Sequence, residues 1–200
     1  LQTLTSGGES LAGLTVNKAA GTLTLSTDDL TVGGAFTLTS GTFAQGTVNL
    51  TVADDVTLES GTVFTKSPDA TQKLILAGDL TLTDNTASAQ DLGYLQIGTS
   101  PDTTDLATDI AAWRIDVGTG DILNTNGFDL DIGDGGLTIF GRLDATDDVA
   151  GDETSITLSG DWTKKPAATF TKDGSAVTLD GGDQAITGST QFHSLAKTGA

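Results

Sequence analysis

The sequence predicts an all-β fold: a single-stranded parallel β-helix, or β-solenoid, of roughly nine coils of about 20 residues. Three observations predict it. First, "LTVGGAFTLTSGT" at 30–42 is followed by "LTVADDVTLESGT" at 50–62. The second copy begins 20 residues after the first, and eight of the thirteen positions are identical. Second, the apolar residues inside each copy alternate, as Leu30, Val32, Phe36 and Leu38 do, then Leu50, Val52, Val56 and Leu58. Period two describes a strand with one buried face. Third, the chain holds 36 Thr, 26 Gly and 24 Asp against only 3 Glu. Thr suits strands, and Gly and Asp suit turns, while the scarcity of Glu speaks against helix.

Each copy reads as strand, corner, strand, turn and a third stretch. The corners are "GGA" and "ADD"; "SGT" is the turn signal in both; "FAQGTVN" is the third stretch of the first copy. One coil cannot bury its own apolar face. The next coil stacked in register buries a continuous column and pairs the backbone groups.

The pattern recurs in "LILAGDLTLT" (74–83), "FDLDIGDGGLTIFGRLDA" (128–145), "ITLSGDWT" (156–163) and "AVTLDGGDQAITGS" (176–189). At ~4.8 Å per coil, the rod is about 40–45 Å long. "SPDATQ" (67–72) reads as a loop bulging from a coil. Residues 84–112 break the rhythm and are expected to be an irregular insertion, keeping a short strand near "YLQI". Its "PDTTDLATDIAA" reads as a helical turn or protruding loop, either decorative or a partner contact. Residues 1–200 thus form one solenoid segment.

Formal net charge is −18. Nucleic acid and anionic membranes need a basic footprint and are not expected partners. No run of 18 apolar residues is present, so no membrane insertion is expected in this segment. With no Cys there is neither a disulfide framework nor a thiolate metal site. The chain also lacks Met and opens mid-pattern, as a processed product or a window of a longer chain would.

The residues offer little convergent chemistry, and no catalytic residue is expected. His193, the single His, has Ser194 beside it but no nucleophile elbow. Asp129, Asp131 and Asp134, with Arg142 downstream, are the candidates for a carboxylate pair acting on sugars; the competing reading is a solubilising outer face. Asp144, Asp147, Asp148 and Asp152 place hard oxygen ligands at short spacing, so calcium is the one candidate cofactor, against a plain solvated loop. "GDGG" (133–136) lacks the following Lys and helix of a phosphate loop. Thr31 and Thr51, like Thr37 and Thr57, hold equal positions and would form outward ladders. Strand propensity explains them without a ligand.

The stretches "LTVNKAAGTLTL", "LTVGGAFTLTSGTF", "ITLSGDWT" and "VTLDGGDQAITG" resemble the right-handed parallel β-helix repeats of secreted bacterial surface proteins, the filamentous-haemagglutinin-like adhesins and large surface fibres. The resemblance implies an extracellular or cell-surface, extended, non-enzymatic protein. The expected role is a structural stalk or fibre segment stacking end to end into a filament. The alternative is a carbohydrate-active or carbohydrate-binding β-helix. The expected partners are further copies of the chain, with host or surface glycans as the other class. The assembly ends are expected at Leu4, Leu11 and Leu14 on the first coil, and at Ile186, Phe192 and Leu195 on the last.

Overall fold

The computed structural model describes residues 1–99, 101–146 and 153–199. Among these, every regular element is a strand and every strand pair is parallel. The chain winds into a β-solenoid of about nine turns, successive turns lying about 21 residues apart. Three strand-lined faces surround one core.

The second face shows the construction most plainly. Leu30, Leu50, Leu74, Leu95, Ile115, Leu137, Trp162 and Ile186 stand one above another, each the register partner of the next. Two residues along, Leu11, Val32, Val52, Leu76, Ile97, Val117 and Ile139 form a second column. Most of these side chains are buried. Each fully buried Leu or Val contributes about 1.5–3 kcal/mol of hydrophobic stabilisation. The third face stacks Val16, Leu38 and Leu58, and the first stacks Ile110, Leu130, Ile156, Val177 and Leu195. Threonines occupy the outward positions between them: Thr31 over Thr51, and Thr15, Thr37, Thr57 and Thr83 in line.

The corners explain the Asp excess. Asp29 Oδ1 accepts the Asn49 N–H of the next coil at 2.7 Å, and the Asn49 carbonyl accepts the Leu30 N–H at 3.0 Å. The same reciprocal pair joins Asp109 to Asp129 and Asp161 to Ala185. Asp55 and Asp79 take the N–H groups of Thr81 and Thr103, both at 2.8 Å, and Asn49 takes that of Lys73. A short carboxylate just before a strand thus accepts a donor that the corner would leave unpaired, through a charge-assisted bond. The longer Glu side chain does not suit that reach. The repeated "SGT" places Gly41 and Gly61 at φ of +83° and +78°, the left-handed region that glycine adopts without strain.

The region 84–112 differs from the irregular insertion expected of it. Tyr94–Ile97, Thr103–Leu106 and Ile110–Val117 are strands within the stack, and "PDTTDLATDIAA" supplies all of the second and the first three residues of the third. The alternation there is carried by Thr104, fully buried between Leu80 and Leu123, which does not read as apolar in a sequence. What leaves the stack is the stretch after Asp84. Asp84 stands above Leu58 in an inward column, and its carboxylate is satisfied by the Thr86 N–H and hydroxyl and by the Gln90 N–H at 2.7 Å. "SPDATQ" is a loop between Val63–Thr65 and Lys73–Leu76, as expected.

Leu58 is fully buried, while its neighbour Thr57 points outward. Leu58→Ala is expected to cost about 2–5 kcal/mol. Leu58→Asp, which buries an unpaired charge, is expected to cost more or to prevent folding. Thr57→Ala is expected to stay within about 0.5 kcal/mol. Urea unfolding of the three variants checks the register, and equal losses at 57 and 58 would contradict it.

Candidate functional site

The residues singled out from sequence do not converge. His193 and Ser194 are exposed on the last coil, and among the described residues no carboxylate hydrogen-bonds His193. Asp129 and Asp131 share the first face, but Asp129 Oδ1 accepts the Ser155 N–H at 2.7 Å as a corner strap. Arg142 lies on the third face, paired with Asp144, and does not join them. Asp144 is buried, and its other oxygen accepts the N–H and hydroxyl of Thr146. Asp147, Asp148 and Asp152 lie outside the described residues. Among the described residues, no group of three or more His, Cys, Asp or Glu could hold a metal ion.

The assembly-end residues each occupy a terminal position in the stack. Leu4, Leu11 and Leu14 are register partners of Leu25, Val32 and Phe36 on one side only. At the other end, Ile186 and Leu195 are 42% and 46% exposed over Trp162 and Val177. Phe192 packs edge-on against Trp162 at 5.0 Å between ring centres.

A different cluster stands out from the structure. Lys73, Tyr94 and Arg114 fall in one outward column of the second face, beside Ile75, Gln96 and Asp116 in the next. The Tyr94 hydroxyl donates to Asp116 Oδ2 at 2.5 Å, and Arg114 donates to both Asp116 oxygens at 3.0 and 3.1 Å. Lys73 Nζ and the Arg114 guanidinium lie over the Tyr94 ring, 4.7 and 4.8 Å from its centre. Two cations against the negative face of one ring hold it in place.

Burial, then the hydrogen bond and charge of Asp116, push the Tyr94 phenol up to about 12, while Arg114 pulls weakly the other way. Burial pulls the Arg114 guanidinium down, but Asp116, with help from Tyr94, outweighs it and the net direction is up.

Next to this cluster, Trp113 sits where the register jumps: Ala112 faces Ile132, whereas Arg114 faces Gly136. Its half-buried side chain borders two surface hollows. One holds Lys66, Pro68, Asp69 and Tyr94; the other holds Asp91, Asp131, Gly133 and Asp134. Gly133 and Gly135 of "GDGG" have their reason here, while Gly136, at a φ of +72°, lies against the Asp161 backbone. A Cβ on Gly135 would come within 2.9 Å of the Trp113 ring and 2.6 Å of Arg114 Cβ. The sequence signal for the cluster lay in aligning "KLIL", "YLQI" and "RIDV" at 73, 94 and 114, which puts Lys, Tyr and Arg in one column.

Among known proteins, the chain has no significant match to a protein-family model, to a curated protein or to a solved structure.

Tyr94 is the single tyrosine, so ultraviolet titration of tyrosinate reports on it alone. Its ionisation midpoint is expected near 12 instead of the ordinary 10.0. The fold favours the neutral phenol, so this contribution to stability is full below about pH 10 and is lost as pH rises through about 12. Asp116→Asn keeps an acceptor oxygen but removes the negative charge, and is expected to bring the midpoint down from about 12 while burial still holds it above the ordinary value. A parent midpoint near 10 would contradict the cluster's geometry.

Proposed function

We propose that this chain is a structural segment of an extracellular fibre or stalk, whose end coils stack on further coils of the same kind. The observation that carries the reading is the state of the two ends. Gln2–Leu4 and Ser10–Leu11 each pair on one side only, as do Ile186–Thr187 and Ser194–Lys197. The columns beneath them end in half-exposed Leu and Ile. An open parallel edge with an apolar column is a template for another coil.

The first-face edges at the two ends are Gln2–Leu4 and Ser194–Lys197, and the second-face edges are Ser10–Leu11 and Ile186–Thr187. Face therefore meets face when one unit follows another, whether by chain continuity or between copies. A heterologous contact of this type does not close, and it propagates as a filament. The charge of −18 opposes sideways clumping, and the composition and the adhesin-like repeats support a cell-surface setting.

A tandem of two copies tests this reading together with the single copy. The tandem is expected to melt in one cooperative transition above the single copy's, because solenoid stability grows with each stacked interface. The single copy is expected to form end-to-end rods in electron micrographs, and to keep them in high salt, since backbone pairing and apolar stacking are not screened. A tandem that melts no higher, from a single copy that stays discrete at high concentration, would overturn it.

A further inference from the structure

We propose that the Trp113 ridge is a binding site for a neutral glycan chain. Five features of the ridge, none of which depends on the filament reading, suit it to that ligand.

The first is the placement of aromatic rings. Most large aromatic side chains lie inside or against the core: Phe36, Phe43, Phe64 and Trp162 are buried, and Phe128, Phe170 and Phe192 pack on it. Trp113 and Tyr94 instead lie together on the outer surface and border the same hollow. Lys73 and Arg114 already cover the Tyr94 ring, so the indole of Trp113 is the stacking platform and Tyr94 a wall of the hollow. An indole on a solvated surface suits the apolar C–H face of a sugar, whose weakly positive hydrogens meet the negative face of the ring.

The second is rigidity. Trp113 lies against the glycine backbone of the next coil, which leaves no room for a side chain at 135. Tyr94 is fixed by Asp116 and by two cations. An indole held in one position beside a fixed wall loses little conformational entropy when a ligand stacks on it.

The third is unused hydrogen-bonding capacity. Among the described residues the Trp113 indole N–H donates to nothing, although that of Trp162 is satisfied by Thr190 at 3.0 Å. Asp131 and Asp134 line the second hollow with exposed carboxylates. Sugar hydroxyls both donate and accept, so an indole donor flanked by carboxylate acceptors is complementary to them.

The fourth is charge. Lys66, Lys73 and Arg114, three of the nine basic residues, gather here against Asp69, Asp91, Asp116, Asp131 and Asp134. Lys66 is paired with Asp91, and Arg114 with Asp116. A polyanion would meet these carboxylates within a chain of charge −18, and a polycation would meet the lysines. A neutral polyhydroxyl ligand meets neither penalty.

The fifth is shape. The hollows, of about 140 and 240 Å³, lie on either side of Trp113 and are open to solvent. A ridge between two open hollows fits the interior of a chain, with one sugar ring on each side of the indole or stacked across it, and not a terminal group in a closed pocket.

The experiment uses the intrinsic fluorescence of the chain. Trp162 is fully buried, so of the two tryptophans Trp113 is the one a ligand can reach. Cellohexaose, mannohexaose and maltohexaose are titrated, with polygalacturonate as the polyanion. At least one neutral hexasaccharide is expected to shift the emission saturably, and polygalacturonate is not. Calorimetry on Trp113→Ala is expected to show binding weakened by roughly tenfold or more, as loss of an aromatic anchor does. Trp113→Phe keeps a ring and is expected to retain most of the affinity; if the alanine variant does not fold, the aspartate variant that follows carries the test. Asp131→Asn combined with Asp134→Asn is expected to weaken binding while leaving the melting temperature in place. No response to any of the three sugars, a response to polygalacturonate instead, or undiminished binding by Trp113→Ala or by the double aspartate variant would overturn the proposal.

Discussion

Everything in this molecule depends on coil lying on coil in register. In a parallel ladder with side-chain period two, a slip of one residue turns every inward Leu and Val outward. The columns from Leu30 to Ile186 and from Leu11 to Ile139 are the thermodynamic reason the register holds. The corner carboxylates are the geometric reason. Asp29 reaches the Asn49 amide, Asp55 that of Thr81, and Asp161 that of Ala185, and none could do so from a neighbouring register. Hydrophobic burial alone is non-directional. The straps add direction where the strand ladder is interrupted, so the two terms are complementary.

This division of labour accounts for a composition that otherwise looks extreme. A solenoid with a thin core has a large surface, and Thr covers its strands while Asp covers its corners. The acidic charge is thus in part an architectural consequence, with solubility as its by-product. The same constraint explains where variation is tolerated. Loops leave the stack at turns, as "SPDATQ" does, and after Asp84, whose buried carboxylate takes the place of a column residue and binds the loop that follows. Most charged and polar variation on the strands falls on the outside, with Asp84 and Thr104 as inward exceptions. Tyr94, Arg114 and Trp113 are such outside positions, so a surface cluster could be built there without disturbing Leu95 or Ile115 beneath it.

The fold was legible in the sequence because its determinant is periodic. The pair Leu38 and Leu58, the corners and the "SGT" turn follow from comparing one copy with the next, and the structure has them in register. Residues 103–106 were not legible, because Thr104 is buried there and a buried Thr looks like a surface Thr in a one-dimensional pattern. The Tyr94 and Trp113 cluster was not legible for a related reason. Its members lie about 20 residues apart in sequence and become neighbours only when the coils are aligned across loops of unequal length. The "GDGG" glycines look like a loop motif in isolation, and the meaning of Gly133 and Gly135 comes from Trp113 one coil away. The carboxylates that did stand out by local spacing, Asp129 and Asp144, are occupied with internal hydrogen bonds.

The central claim is that stacked registration, with side-chain straps at the corners, holds the rod together. Amide hydrogen exchange read residue by residue tests it most directly. The account predicts strong protection at Thr51, Thr57, Leu95 and Ile115, weak protection in Gln2–Leu4 and Ser194–Lys197 of the isolated chain, and a gradient between them. It also predicts protection at Asn49, Thr81, Thr103 and Ala185, whose acceptors are carboxylates of the coil below. Free exchange at those four amides with the neighbouring ladder protected would contradict the straps, and uniform fast exchange through the central coils would contradict the stack itself.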